Sequence, residues 1–116
     1  MTAVIYTRNN NDSAFLNETV RRAAEDMSVT LINPEGTKYF RVAYDLVVVD
    51  INGAEGMEIV LEYAERFPGS KIIWITDDPY FAKTAIRNHI HDFITRPLDV
   101  SWFEHSVREA ARMIRM

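Results

Sequence analysis

The sequence predicts an α/β domain in which a five-stranded parallel sheet is covered by helices on both faces. Short apolar runs alternate along the chain with segments whose apolar residues recur every three or four positions, the periods of strands and helices. One run, LVVVD at 46–50, has no polar residue before its final aspartate, which is typical of a central strand buried on both faces. The length of 116 residues fits one domain spanning 1–116.

The other predicted strands are apolar runs bounded by turn-forming residues. They cover 3–6, 29–32, 71–76 and 92–95. The sheet therefore has its central strand at 46–50, with strands from both halves of the chain beside it.

Helical periodicity fills the five intervals after the strands. The first helix is predicted to begin with a cap at Asp12 or Ser13 and to end at Met27, and a weak, short helical segment runs up to Ala43. A third apolar stripe runs from Met57 to Phe67.

The last two helices carry clear start signals. Asp78 followed by Pro79 supplies a cap and a first-turn proline for the fourth helix. The final helix is expected to open near Asp99, where Ser101 and Glu104 have the spacing of a capping box.

Composition limits the classes of function. The chain has no cysteine, which excludes disulfides and thiolate metal sites and is compatible with a reducing compartment. No segment reaches the roughly 18 apolar residues of a membrane span, and the N-terminus does not resemble a signal peptide. A net charge of −4 opposes nonspecific binding of nucleic acid. We therefore expect a cytoplasmic protein that binds neither membranes nor nucleic acid directly.

Candidate site residues follow the predicted strands. Because the carboxyl ends of parallel strands meet at one edge of a sheet, and ligands bind there in open α/β folds, the side chains that follow the strands form the candidate site. They are Thr7, Arg8, Asn9, Asp50, Thr76, Asp77 and Arg96. Asp50, which ends the central strand, is the central candidate.

These residues, together with the run DPYFAKTAIRNHIHDFITRPLD, resemble the CheY-like receiver domains of bacterial response regulators, and most closely those of LytTR-type regulators. The resemblance covers essentially the whole chain and implies a flavodoxin-like sheet with strand order 2-1-3-4-5. It places Asp50 at the phosphoacceptor position, Thr76 and Arg96 at positions that contact the phosphoryl group, and Phe93 at the position of a switch aromatic. Arg96-Pro97 stands where the family has Lys-Pro, usually with a cis peptide bond.

The departures from the family fall at the chemical centre. Thr7 and Arg8 stand where the family has the acidic pair that holds Mg²⁺ with the phosphoacceptor. A guanidinium offers no oxygen ligand and repels a cation, so we expect weak Mg²⁺ binding at most, with Asp50 as its ligand and Asp77 as an additional acid. The sequence thus suggests a pseudo-receiver, in which Arg8 and Arg96 both approach Asp50 and neutralise it.

The resemblance also implies a surface for protein partners, formed by the fourth predicted helix, the fifth strand and the last helix. It is rich in aromatic and arginine side chains, which are enriched at binding hot spots. The residues are Tyr80, Lys83, Arg87, Trp102, His105, Arg108 and Arg112. We expect a protein partner or a second copy of the chain to bind there.

Three alternatives remain open. The chain could be a receiver that is phosphorylated normally on Asp50. It also loosely resembles haloacid-dehalogenase-type phosphatases, in which Asp50 would be a nucleophile, although Asn52 replaces the second aspartate of that motif. An anion- or flavin-binding flavodoxin-like module is the third, but the chain lacks a Ser/Thr-rich phosphate loop.

Overall fold

Five short strands form one sheet in the computed structural model, which describes residues 1–8, 10–34 and 42–116. The strands are β1 (Thr2–Thr7), β2 (Ser28–Ile32), β3 (Leu46–Asp50), β4 (Lys71–Thr76) and β5 (Asp92–Thr95). Each lies within one residue of its predicted bounds, because apolar runs of this length end sharply at polar turns.

The sheet is entirely parallel and has the order β2-β1-β3-β4-β5. The chain reverses its direction of winding at β1, which pairs with β2 on one side and β3 on the other. In this register Thr7 lies level with Asp50. The predicted fold class and strand order are confirmed.

The described part of the chain contains four α-helices. They are α1 (Asn10–Ala23), α2 (Gly53–Arg66), α3 (Ala82–Arg87) and α4 (Val100–Arg115), with a 3-10 turn at Pro79–Phe81 immediately before α3. The predicted helical segment that ends at Ala43 falls largely on residues 35–41, which lie outside the described residues, as does Asn9 of the candidate site; residues 42 and 43 are not helical. None of the described helices is long and apolar enough to cross a membrane.

The two faces of the sheet are buried against different helices. Leu46 and Val48 of β3 belong to a core that α1 and α4 complete, whereas Val47 and Val49 belong to a second core under α2 and α3. Consecutive strand residues point to opposite faces. Burial on both faces therefore explains why β3 has an uninterrupted apolar sequence.

The bounds of the first helix and the cap of the last helix differ from the prediction, whereas the start of the last helix near Asp99 is confirmed. The first helix begins at Asn10, so that Asp12 lies within its first turn, and it ends at Ala23, before the predicted Met27. At α4 the cap is Asp99, whose Oδ1 accepts a hydrogen bond of 3.1 Å from the backbone N–H of Trp102. The proposed capping box fails because Glu104 turns instead to Arg22 of α1, with 2.8 Å between its Oε1 and the arginine Nε.

The connection from β3 to α2 requires two glycines. Gly53 has φ +73°, which L-residues with a side chain rarely adopt. A Cβ at Gly56 would lie 1.8 Å from the carbonyl oxygen of Ile51. The first turn of α2 therefore packs directly on the backbone that follows Asp50.

Candidate functional site

An open cleft of about 620 Å³ lies where β1, β3 and β5 end. It is lined by Arg8, Asp12, Asp50, Ile51, Asn52, Glu55 and Arg96. Three carboxylates and two guanidinium groups thus meet at the edge of the sheet that the sequence indicated.

Asp50 is the most deeply placed charge in the cleft, with a side chain only 3% exposed. The hydroxyl of Thr7 donates a hydrogen bond of 3.0 Å to its Oδ2. Its Oδ1 accepts a short hydrogen bond and ion pair from Nη2 of Arg96. Both carboxylate oxygens are therefore bound by groups of the protein itself.

Arg96 connects three parts of the fold. Its backbone N–H donates to the carbonyl oxygen of Thr76, 2.9 Å away, which fixes the residue beside β4. The same Nη2 that binds Asp50 also lies 2.7 Å from Oδ2 of Asp12 in α1. We call this set of three side chains, Asp12, Arg96 and Asp50, the arginine bridge. Burial alone would lower the pKa of Arg96, but its hydrogen bond to Asp50 and the charges of Asp50 and Asp12 raise that pKa above its ordinary value.

Arg8 forms a separate group at the mouth of the cleft. Its Nε donates to Oε1 of Glu55 at 3.0 Å, its Nη2 makes a second, shorter bond to Oε2, and its Nη1 donates to Oδ1 of Asn33 at 3.2 Å. The hydrogen bond from Arg8 lowers the pKa of Glu55, while partial burial acts in the opposite direction. The sequence predicted that both arginines approach Asp50; the ion pair to Asp50 comes from Arg96, and Arg8 is directed to Glu55 and Asn33.

Thr76 and Asp77 lie at the end of β4 but do not line the cleft. Thr76 is fully buried, and its Oγ1 accepts a long hydrogen bond of 3.4 Å from the backbone N–H of Asp78. Asp77 is exposed, and its backbone N–H donates to Oδ1 of Asn52 at 3.1 Å. The hydroxyl of Thr76 and the backbone N–H of Asp77 therefore support the turn after β4 in this conformation.

Phe93 lies at the edge of the core beneath α2 and α3. Its ring meets that of Trp74 edge to face, with 5.3 Å between centroids, and Trp74 stacks in turn on Phe81. These contacts are those of a core aromatic, and the role of Phe93 as a switch stays a prediction.

The residues of the cleft do not fit a magnesium ion. A divalent cation needs free oxygen ligands, and the carboxylates of Asp12, Asp50 and Glu55 are each paired with a guanidinium. Within the described ranges, no three His, Cys, Asp or Glu side chains are grouped so that they could hold a metal. Arg96 places a positive charge between the two carboxylates that a cation would otherwise bridge.

Sequence reasoning missed two members of the cleft, Asp12 and Glu55. Asp12 was assigned to helix capping, and Glu55 is one of several acidic residues in α2. Since two arginines at a partly buried site need counter-charges, a search for two carboxylates in the flanking helix starts would have identified both.

The seven residues of the predicted partner surface are all exposed. Tyr80 and Trp102 expose 89% and 56% of their surfaces. The indole of Trp102 is nevertheless held in place, because its Nε1 donates a hydrogen bond of 2.7 Å to Oδ2 of Asp92 in β5.

No family model and no curated protein matches the chain. Solved structures do match over nearly its full length. The response regulatory domain of mrkE from Klebsiella pneumoniae aligns with a TM-score of 0.81 and 16% identity, covering 99% of this chain and 98% of that one.

Two further receivers align with similar quality. A CheY-like receiver domain from Methanospirillum hungatei JF-1 gives a TM-score of 0.77 at 14% identity, covering 98% of this chain and 95% of that one. A signal receiver domain from Clostridium thermocellum gives 0.76 at 17% identity, covering 96% and 97%. With the strand order and the full-length alignments agreeing, the chain has the fold of response regulator receiver domains.

Proposed function

We propose that this chain is a signal-transduction receiver domain of the two-component type, without enzymatic activity, that acts through protein contacts and undergoes little Mg²⁺-dependent phosphorylation. The receiver fold supports the general role. The observation that carries the atypical part is the ion pair of Arg96 with Asp50.

The physical argument concerns charge at the carboxylate. Phosphoryl transfer to a carboxylate needs a free nucleophilic oxygen and a cation that neutralises the transferred phosphoryl oxygens. Both oxygens of Asp50 are already hydrogen-bonded, one to Thr7 and one to Arg96. An incoming phosphoryl donor would have to displace the guanidinium, and Mg²⁺ would then meet two arginines in the same cleft.

The direct test is incubation with Mg²⁺ and either acetyl phosphate or beryllofluoride, followed by intact-mass measurement and amide NMR. We expect no stoichiometric adduct and no shift of the cleft amides at millimolar Mg²⁺. Asp50→Asn is the matched control for any adduct seen. An adduct that this substitution abolishes would return the protein to the class of normally phosphorylated receivers.

Repair of the site provides the converse test. Thr7→Asp with Arg8→Asp adds two oxygen ligands, and Arg96→Lys replaces the planar fork by a compact ammonium. We expect Mg²⁺ affinity to increase at least tenfold in the triple variant. No gain would show that the loop after Asp50 also blocks the site.

The same samples test the phosphatase alternative. Turnover of a phosphate ester that disappears in Asp50→Asn would support that class and contradict a non-enzymatic receiver. The side chain of Asn52, at the acid/base position of the phosphatase motif, accepts a hydrogen bond from the backbone N–H of Asp77 instead of carrying an acid.

We further propose that a protein partner or a second copy docks on the face formed by α3, β5 and α4. Two exposed aromatics and several cations lie there on a chain whose net charge is −4. The hydrogen bond from Trp102 to Asp92 fixes the indole before binding, so that little side-chain entropy is lost on association.

Sedimentation velocity tests self-association through this face. Wild type is compared with the double variant Trp102→Ala, Arg108→Glu, and with Glu65→Arg on α2 as a control on another face. A dimer that persists in the double variant would contradict the assignment. Monomeric behaviour of all three proteins at high concentration would leave binding to a different protein as the role of this face.

A further inference from the structure

The core beneath α3 contains an unsatisfied hydrogen-bond donor. Trp74 of β4 is fully buried, and among the described residues its indole Nε1 is the buried side-chain polar atom without a hydrogen-bond partner. A buried donor that gives up water without gaining an acceptor destabilises the state in which it is buried. The packing around Trp74 is therefore less favourable than its aromatic contacts suggest.

The segment that covers Trp74 has few buried residues. It consists of the 3-10 turn Pro79–Phe81, the six residues of α3 and the C-cap Asn88, and we call residues 79–88 the flap. The turn has no buried residue, and in α3 only Ala85 is buried. Phe81 contacts the core by stacking on Trp74, with 5.3 Å between ring centroids and 24° between planes.

Local contacts hold both ends of the flap. At its start, Asp78 caps the turn through a hydrogen bond of 2.9 Å from the backbone N–H of Tyr80 to its Oδ1. At its end, His89 has φ +55°, the left-handed conformation common after a helix, and the backbone N–H groups of His89 and Ile90 donate to the carbonyl oxygens of Ile86 and Ala85 at 3.2 and 3.1 Å. This conformation is less favourable for a residue with a Cβ than for glycine, so opening of the flap would release His89 from it and would give the indole N–H of Trp74 access to water.

From these three independent features we propose that the flap opens and closes over Trp74 without unfolding of the sheet. Stacking of Phe81 on Trp74 and burial of Ala85 favour the closed state, while the unsatisfied indole and the left-handed conformation of His89 favour the open one. Local openings of this kind are drawn from segments with few buried contacts. The open state exposes an apolar pocket floored by Trp74 and walled by Phe93, adjoining the groove between α3 and β5.

Fluorescence can follow this motion at one site. The chain has two tryptophans, so Trp102→Phe leaves Trp74 as the sole tryptophan, which can be excited selectively at wavelengths that the five tyrosines do not absorb. In this background we expect acrylamide to quench Trp74 measurably under native conditions. Hydrogen exchange of the flap amides should be at least tenfold faster than that of β4 and independent of low denaturant concentrations, since little surface is exposed.

Three substitutions in the same background give the direction of the effect. Phe81→Ala removes the stacking contact and should raise the quenching constant several-fold. His89→Gly removes the strain of the closed state and should lower the constant at least twofold. Ile86→Ala, at an outward side chain that is 76% exposed, is the matched control and should leave it unchanged.

The proposal is overturned if the flap amides exchange together with those of β4, or if Trp74 becomes quenchable only when the whole protein unfolds. It is equally overturned if His89→Gly leaves both quenching and exchange of the flap as they are. Should Phe81→Ala fail to fold, the His89→Gly comparison and the exchange data still decide the matter.

Discussion

Replacing Arg96 by methionine removes the positive charge of the arginine bridge while keeping most of its apolar stem. Exposed ion pairs contribute roughly 0–1 kcal/mol, and removal of one partner from a fully buried pair costs about 3–5 kcal/mol. Asp50 is 3% exposed and Arg96 is 26% exposed, so this pair lies between the two cases. We expect Arg96→Met to lower the free energy of unfolding by about 2–3 kcal/mol.

A double-mutant cycle with Asp50→Asn separates the ion pair from the loss of packing. Asp50→Asn alone leaves Arg96 paired with Asp12 and should cost about 1 kcal/mol. The double variant no longer contains a buried, unpaired carboxylate at position 50. Its free energy of unfolding should therefore be at least about 1.5 kcal/mol higher than expected from adding the losses measured for the two single variants.

Urea unfolding followed by circular dichroism measures all four proteins of the cycle. Arg22→Met serves as the control, because Arg22 pairs with Glu104 at the surface, where solvent screens the pair, and this substitution should lower the stability far less than Arg96→Met. If the effects of the two substitutions at the arginine bridge add within about 0.5 kcal/mol, the guanidinium does not neutralise Asp50 and the reasoning fails.

Two other predictions concern the cleft and its supporting loop. Gly56→Ala should destabilise the fold by about 3 kcal/mol or shift α2, because the added Cβ would overlap a backbone oxygen. Gly53→Ala, whose Cβ would lie in open space at φ +73°, should lower the free energy of unfolding in urea by only about 1–2 kcal/mol. Equal effects of the two substitutions would contradict the close packing of α2 on the backbone of Ile51. Arg8 makes the pKa of Glu55 lower in the folded than in the unfolded chain. The ion pair of Arg8 and Glu55 therefore stabilises the fold fully at pH values above 4.5, the ordinary pKa of glutamate, and this stabilisation is lost as the pH falls through the pKa of Glu55 in the folded chain. Glu55→Gln should reduce the loss of stability below pH 4.5, measured as melting temperature against pH, and an unchanged profile would refute this linkage.

The sheet could be predicted closely because its signal is local. Each strand is a short apolar run, and right-handed crossovers between parallel strands leave few arrangements of them. Helix starts were less predictable. Ser101 and Glu104 have a valid capping spacing, but Asp99 already caps the helix and Arg22 attracts Glu104. The ion pair with Arg22 of α1 thus favours the Asp99 cap over the capping box of Ser101 and Glu104.

The sequence predicts the position of the cleft but not which arginine pairs with which carboxylate. Asp50, Arg8 and Arg96 follow strands and so had to lie at one edge of the sheet. Which carboxylate each arginine binds depends on side-chain reach across the cleft, and no sequence pattern encodes it. This is why Asp12 and Glu55 were overlooked as partners.

The arginine bridge joins groups that are far apart along the chain. Arg96 is 84 residues from Asp12 and 46 from Asp50. A single side-chain contact does not repay the entropy of closing such loops, so we expect the bridge to form only after β3, β5 and α1 have docked. Stabilising contacts that are absent from the folding transition state act mainly on the rate of unfolding. We therefore expect removal of the bridge to speed unfolding, and folding itself should proceed at nearly the same rate without it.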